Sequence, residues 1–157
     1  MILTPDEIRT IRQEAGHFPH PSAAAIEALN IAQEGHGWIS DELLKEIAEL
    51  LGMSPADLDS VATFYNLIYR RPVGRRVIHY CNSVSCWMLG AEDNCRHLSE
   101  KLGIGLGETT GDGEYTLLPI VCLGACDRAP VLMIGEETHF NVDPAKLDDI
   151  LGDSGAP

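Results

Sequence analysis

An α+β protein, with an N-terminal helical bundle followed by an α/β domain on one mixed sheet, is the fold class the sequence predicts. Three observations carry it. Residues 1–70 show helix start and stop signals four times over. The apolar period changes after Pro72-Val73-Gly74, and the segments beyond run in the order βα, then βββα. These observations divide the chain into a helical module over 1–73 and an α/β domain over 74–157.

The helices have orthodox punctuation. Thr4 is placed to cap a first helix with Pro5 at its first position and Glu7 three residues on, a capping-box arrangement, and Gly16 is a stop. After Pro21, Ser22 is predicted to cap a second helix carrying Ala25, Ile26, Leu29, Ile31 and Ala32 and ending near Gly35. Ser40 caps a third over Asp41 to Leu51, whose leucines and Ile47 form one stripe before Gly52. Ser54-Pro55 repeats the start signal for a fourth through Leu58, Val61 and Phe64.

Beyond Gly74, Arg76 to Cys81 is short and rich in β-formers, a strand that delivers Cys81 at its end. A helix is expected from about Leu89 to Leu102, then a loop over Gly103 to Gly113. Tyr115 to Val121 reads as a second strand, placed at an edge or bulge by Pro119. Val131 to Ile134 and Thr138 to Val142, separated by Gly135-Glu136-Glu137, read as a hairpin. Asp143-Pro144 opens a last helix to Leu151, and Gly152 to Pro157 reads as a loose tail.

Composition bounds the function. With 157 residues, 45% hydrophobic and 22% charged, the chain can bury a core. No apolar run approaches the roughly 20 residues needed to span a bilayer, so no membrane insertion is expected. Residues 1–74 hold 5 basic and 11 acidic side chains, and 75–157 hold 6 and 13, for a net charge of −13. Nucleic acid is not an expected partner, since phosphate binding needs gathered Lys and Arg. Met1 to Glu7 lacks the pattern of a secretory or organelle leader, which favours a bacterial cytoplasmic product.

Four of the five cysteines fall in two close pairs, Cys81 with Cys86 and Cys122 with Cys126. Two thiolates a few residues apart on a loop reach one metal without strain, and two such loops supply four sulfurs. In a [2Fe-2S] cluster each iron takes two protein thiolates, so two pairs fit the stoichiometry. Gly124 and the small Ser83, Ser85 and Ala125 allow backbone N–H groups to approach sulfur. Spacing alone also admits a structural zinc site with four thiolates, and thiol chemistry less readily, because a thioredoxin-type dithiol wants Cys-x-x-Cys. Cys95, inside the predicted helix, reads as a small buried hydrophobe.

The two pairs stand 35 residues apart, among Thr109-Thr110-Gly111-Asp112-Gly113, Thr116-Leu117-Leu118-Pro119 and Cys122-Leu123-Gly124-Ala125-Cys126-Asp127-Arg128-Ala129-Pro130. With Gly37-Trp38-Ile39 and Val61-Ala62-Thr63-Phe64-Tyr65 upstream, this resembles the 24-kDa-type subunit family of respiratory NADH:quinone oxidoreductase (complex I), over nearly the whole chain. The resemblance implies a thioredoxin-like [2Fe-2S] ferredoxin domain over 74–157. It implies Cys81 and Cys86 on one iron, Cys122 and Cys126 on the other, and a docking module over 1–73. It also implies a partner subunit that carries the FMN and the NADH site, a larger peripheral-arm assembly on the cytoplasmic side of the bacterial inner membrane, and no catalysis by this chain alone. The cluster would exchange an electron with that flavin, off the main wire to quinone. Consistently, Gly103, Gly105 and Gly107 lack the dinucleotide-binding pattern. Many family members carry His or another polar residue after the second ligand, whereas here Trp87 and Met88 follow Cys86; they are expected at an interface or in the core rather than as a shield for the cluster.

His79, next to the first pair, would be a Rieske-like ligand only if a cysteine were missing; His17, His20, His36, His97 and His139 show no ligand pattern. Phe64, Tyr65 and Tyr69 read as core before interface, and Arg70-Arg71 and Arg75-Arg76 as partners for the chain's own acids or another protein's. Two other functions stay open. One is the homologous subunit of an NAD-linked formate dehydrogenase or hydrogenase. The other, of a different class, is a colourless four-thiolate zinc scaffold.

Overall fold

A computed structural model describes residues 2–152, which divide into two compact units, one ending at Pro72 and the other beginning at Val73. The predicted tail beyond Gly152 lies outside the described residues.

The first unit holds α1 (Pro5–Ala15), α2 (Ala25–His36), α3 (Asp41–Leu51) and α4 (Pro55–Phe64). Three of the starts are the local chemistry expected. Thr4 Oγ1 accepts from the Glu7 N–H at 3.3 Å while the Glu7 carboxylate accepts from the Thr4 N–H at 2.7 Å, a complete capping box. Ser40 and Ser54 accept from the N–H groups of Leu43 and Asp57 at 3.2 and 3.1 Å. The second helix differs from expectation at both ends. Ser22 makes no cap; Pro21–Ala24 is a 3-10 turn that runs straight into α2. The helix then passes through Gly35 and stops at Gly37, which takes φ 77°. The bare Cα of Gly35 leaves room for Glu7, since a Cβ there would press on Glu7 Oε1.

Ile11, Leu29, Ile39, Leu43, Ile47 and Leu58 are fully buried in this unit's core. The chain leaving α4 is pinned onto it. Gln33 donates from Nε2 to the Leu67 carbonyl at 2.7 Å and accepts the Tyr69 N–H at 2.6 Å, while the Ile39 N–H donates to the Tyr69 carbonyl. Arg70 then reaches back to Asp59 at 2.7 Å, to Asp41 at 2.6 Å and to the Ile39 carbonyl. Burial alone would lower the Arg70 pKa, but the two carboxylates raise it above its ordinary value. Phe64 overturns its core expectation: its ring is 77% exposed, edge-on to a part-exposed Tyr65. It sits at the helix end, where the apolar stripe has turned away from the core.

The second unit holds β1 (Arg76–Cys81), α5 (Val84–Met88), α6 (Ala91–Leu102), β2 (Tyr115–Ile120), β3 (Leu132–Ile134), β4 (Glu137–His139) and α7 (Pro144–Leu151). The sheet is mixed, in the order β2-β1-β3-β4. β2 runs parallel to β1, with Arg76 opposite Tyr115 and Cys81 opposite Ile120; β3 pairs antiparallel with β1, and β4 with β3. Pro119 sits on the edge strand, where a missing N–H costs no ladder bond. Gly74 enters β1 beside the backbone of Glu114, where a Cβ would come within 2.9 Å of its carbonyl oxygen, and its N–H donates to Thr116 Oγ1 at 2.6 Å. Arg75 pairs with Glu114 and Arg76 lies over the Tyr115 ring, so these arginines use the chain's own groups.

Ile78, Leu98, Leu117, Leu132, Ile134, Val142 and Leu147 make one core, and a second gathers Cys81, Cys86, Ala91, Ile120, Ala129 and Val131. Two expectations need correction here. The segment before α6 is not all loop: Ser83 takes an extended cap conformation and starts the short α5, which carries Cys86. The hairpin is also shorter than read, because after β4 the chain leaves the ladder. Asn141, at φ 49°, gives its N–H to the Arg128 carbonyl at 2.8 Å, and Val142 gives its own to Pro130 at 3.0 Å.

Candidate metal centre

The parallel pair β1–β2 sets the site, because both strands end at the same level and each releases one cysteine segment there. Cys81 closes β1, opposite Ile120. Its N–H donates to the Val131 carbonyl at 3.2 Å, and the Asn82 N–H donates to Ile120 at 3.1 Å, so the backbone is tied on both sides. Ser83 then turns the chain into α5, and its carbonyl accepts from the Trp87 N–H at 2.8 Å. One helical turn returns Cys86 toward Cys81. Both are buried, at 1% and 2% exposure.

From β2 the chain continues through Val121, Cys122 and Gly124 to a 3-10 turn over Cys126–Arg128. Gly124, at φ 74°, directs its N–H to Cys122 Sγ at 3.3 Å. Such a bond would tune a metal held by that sulfur. Cys122 and Cys126 are exposed. Cys81 Sγ lies 4.0 Å from the Val121 carbonyl, so the two segments meet there.

The predicted cysteines are therefore not equivalent. Burial pushes the Cys86 thiol up to about 11, helped by a hydrogen bond to Cys81 and by the neighbouring sulfurs of Cys81 and Cys126. Cys81 and Cys86 are the inner pair, and Cys122 and Cys126 lie on the outer segment. Among the described residues, no three His, Cys, Asp or Glu side chains stand in a group able to hold a metal ion. As a donor set, an inner pair and an outer pair of thiols with one backbone N–H aimed at sulfur suits a two-iron cluster, which asks for two sulfurs on each iron.

The other predicted residues sit outside this group. Cys95 is half-buried and hydrogen-bonds Tyr80 and Ser99, with burial as the first cause of its raised pKa. His79 is 1% exposed, and burial lowers its pKa to about 4, so the ring is neutral. Trp87 and Met88 are exposed, at 56% and 72%, which removes the core reading for both. Sequence reasoning missed the Asn141 and Val142 bonds that hold the outer cysteine segment, and the stacking of Arg128 on Phe140, with the guanidinium carbon 3.5 Å from the ring centroid. No local pattern marks these, because each joins residues from distant parts of the chain.

The chain is similar to several known proteins. The model of the thioredoxin-like [2Fe-2S] ferredoxin family matches residues 11–154. The E subunit of NADH-quinone oxidoreductase from Pseudomonas aeruginosa is 47% identical over 150 residues, covering 96% of this chain and 90% of that protein. The Escherichia coli K12 protein of the same name is 45% identical over 149 residues, covering 95% and 90%. Among solved structures, an NAD+-reducing [NiFe]-hydrogenase in the air-oxidized state superposes with a TM-score of 0.71 at 24% identity, covering 83% of this chain but 22% of the hydrogenase chain. That likeness is one of fold.

Proposed function

This chain belongs to the thioredoxin-like [2Fe-2S] ferredoxin family, and from that premise we propose that it is the electron-transfer subunit of an NADH:quinone oxidoreductase (complex I). Cys81 and Cys86 hold one iron of its cluster and Cys122 and Cys126 the other. The carrying observation is that the parallel strands β1 and β2 end at one level and release the two cysteine segments side by side, with Cys81 Sγ 4.0 Å from the Val121 carbonyl. Relatives at 45–47% identity along nearly the whole chain bear the name of one subunit of that complex, which favours it over a hydrogenase or formate dehydrogenase.

When bound, such a cluster takes up and returns one electron. The protein's residues do the rest. Cys81 and Cys86, closed in by Ala91, Ile120, Ala129 and Val131, exclude water from the inner side. Gly124 offers its N–H to the outer sulfur. Cys122 and Cys126 leave the outer side open, and electrons pass there. Val84, Trp87, Met88 and Leu89, within three residues of Cys86, and Val121, beside Cys122, are all more than half exposed. An apolar surface of this kind is costly in water and marks a contact with another protein. Its partner is the flavin- and NADH-binding subunit, which supplies FMN and NADH, while the helical unit is a docking module. No helix among the described residues is long and apolar enough to cross a membrane. The chain sits in the peripheral arm on the cytoplasmic side of the membrane.

The test is low-temperature EPR of the purified chain before and after dithionite, with iron and acid-labile sulfide counted on the same sample. Equal iron and sulfide and a rhombic spin-one-half signal only after reduction are expected. Bound zinc with no signal would leave a scaffold. Purification of the tagged chain from its host would then identify the assembly, by whether FMN and NADH:quinone activity, or hydrogenase or formate dehydrogenase activity, comes with it.

A further inference from the structure

Arg128 is tied more firmly than its exposure suggests. Its N–H donates to the Ala125 carbonyl at 3.0 Å, and its own carbonyl accepts from Asn141 at 2.8 Å. Its guanidinium lies on Phe140, a ring that packs against the buried group containing Cys81 and Cys86. Stacking on an aromatic face holds a cation in place without neutralising it. Asp127 reaches Arg128 Nε only at 3.8 Å and is 80% exposed, so it offsets the charge weakly.

We propose that Arg128 is a positioning residue for the iron-sulfur centre: a fixed positive charge, two residues past Cys126, that makes the bound centre easier to reduce. This rests on the four-cysteine reading above. Reduction adds one electron, supplied by dithionite in a titration or by reduced flavin in the assembly, and forms or breaks no bond to Arg128. The guanidinium stays protonated throughout, so it contributes charge and no proton. A held cation stabilises the more negative reduced state over the oxidised one, and net charge is among the properties that set such potentials.

The experiment is a dithionite titration of the cluster-loaded full chain, followed by EPR, for the wild type and for Arg128→Gln, Arg128→Lys and Arg128→Met. At the ambient potential that half-reduces the wild type, the ratio of reduced to oxidised cluster should fall roughly fivefold in Arg128→Gln. It should fall likewise in Arg128→Met and stay close to wild type in Arg128→Lys. An arginine that only staples the loop would alter cluster content or line shape and leave the midpoint where it was. If Arg128→Gln fails to load, Arg128→Met decides, since it keeps an apolar stem over Phe140 and removes the charge: a fall supports the proposal and no change overturns it. An unmoved midpoint in loaded Arg128→Gln overturns this proposal alone. Zinc in the wild type overturns the cluster reading along with it.

Discussion

Gly35 in α2 lies directly under the Glu7 carboxylate of α1, and a Cβ at Gly35 would overlap Glu7 Oε1. That carboxylate cannot swing aside freely. Its Oε2 accepts both the N–H and the hydroxyl of Thr4 at 2.7 Å, and its Oε1 stands 3.2 Å from His36 Nε2.

Gly35→Ala therefore sets two effects against each other. Alanine gains about 1 kcal/mol of helix propensity over glycine, while displacing Glu7 forfeits about 1 kcal/mol of capping. We expect a near-neutral change in the native background and a gain of about 1 kcal/mol when Glu7→Ala is already present. Urea denaturation of the four-member mutant cycle measures the coupling, and additive effects would show that Glu7 gives way at no cost.

Acid should weaken the same unit. Burial would raise the Glu7 carboxyl, but its bonds to Thr4 and the nearby His36 leave it below the ordinary 4.5. The Leu3 N–H, then that of Ile2, likewise hold Glu46 below 4.5. A carboxyl whose folded pKa is depressed binds fewer protons folded than unfolded. The stability from both is complete above about pH 4.5 and drains as pH falls through the lower folded values. Thermal melts from about pH 6 down to about pH 3 should show the loss, and Glu7→Gln should flatten the curve. An unchanged slope in that variant would exclude Glu7 as a source.

What was legible in the sequence was local chemistry. Thr4, Ser40, Ser54 and Asp143 each cap the helix they were expected to cap, because a cap is decided within four residues. The mixed sheet follows from the order βα, then βββα, beyond Pro72-Val73-Gly74. The misreadings lie where distant contacts decide. Gly35 is a place for Glu7 rather than a helix stop, β4 ends early because Asn141 and Val142 turn to the outer cysteine segment, and α5 is too short for periodicity to reveal. In the candidate site the pairing of cysteines was readable from spacing. The split into a buried and an exposed pair was not, because it depends on which strand each follows.

The cysteines should separate by role. Cys122→Ser removes an outer sulfur, the one that accepts the Gly124 N–H, so loss or distortion of the reduced EPR signal is expected, with iron content falling. Cys95→Ser, which touches Tyr80 and Ser99 rather than the other thiols, should leave both unchanged. A wild-type spectrum in Cys122→Ser would sink the ligand assignment.

The exposed apolar residues beside the site give the last expectation, and it concerns assembly rather than the cluster. Trp87 and Met88 are more than half exposed, yet Cys86 beside them is buried, so α5 turns its sulfur inward and these side chains outward. Exposed tryptophan and methionine are unusual on a surface meant for water alone, and truncating such anchors in an interface commonly costs about 2 kcal/mol or more, roughly thirtyfold in affinity. Trp87→Glu should therefore weaken association with the flavin-bearing subunit proposed as its partner by at least about that factor, with the cost of desolvating a carboxylate against an apolar surface adding to lost contact. Iron, sulfide and the reduced EPR spectrum of the isolated chain should be unchanged, because Trp87 supplies no ligand and its backbone N–H can still reach Ser83. Titrating labelled chain with the purified flavoprotein separates the two possibilities. Weakened binding with an intact cluster places the contact at α5, whereas native affinity would move it elsewhere, with the exposed Phe64 and Tyr65 of the helical unit the next surface to alter.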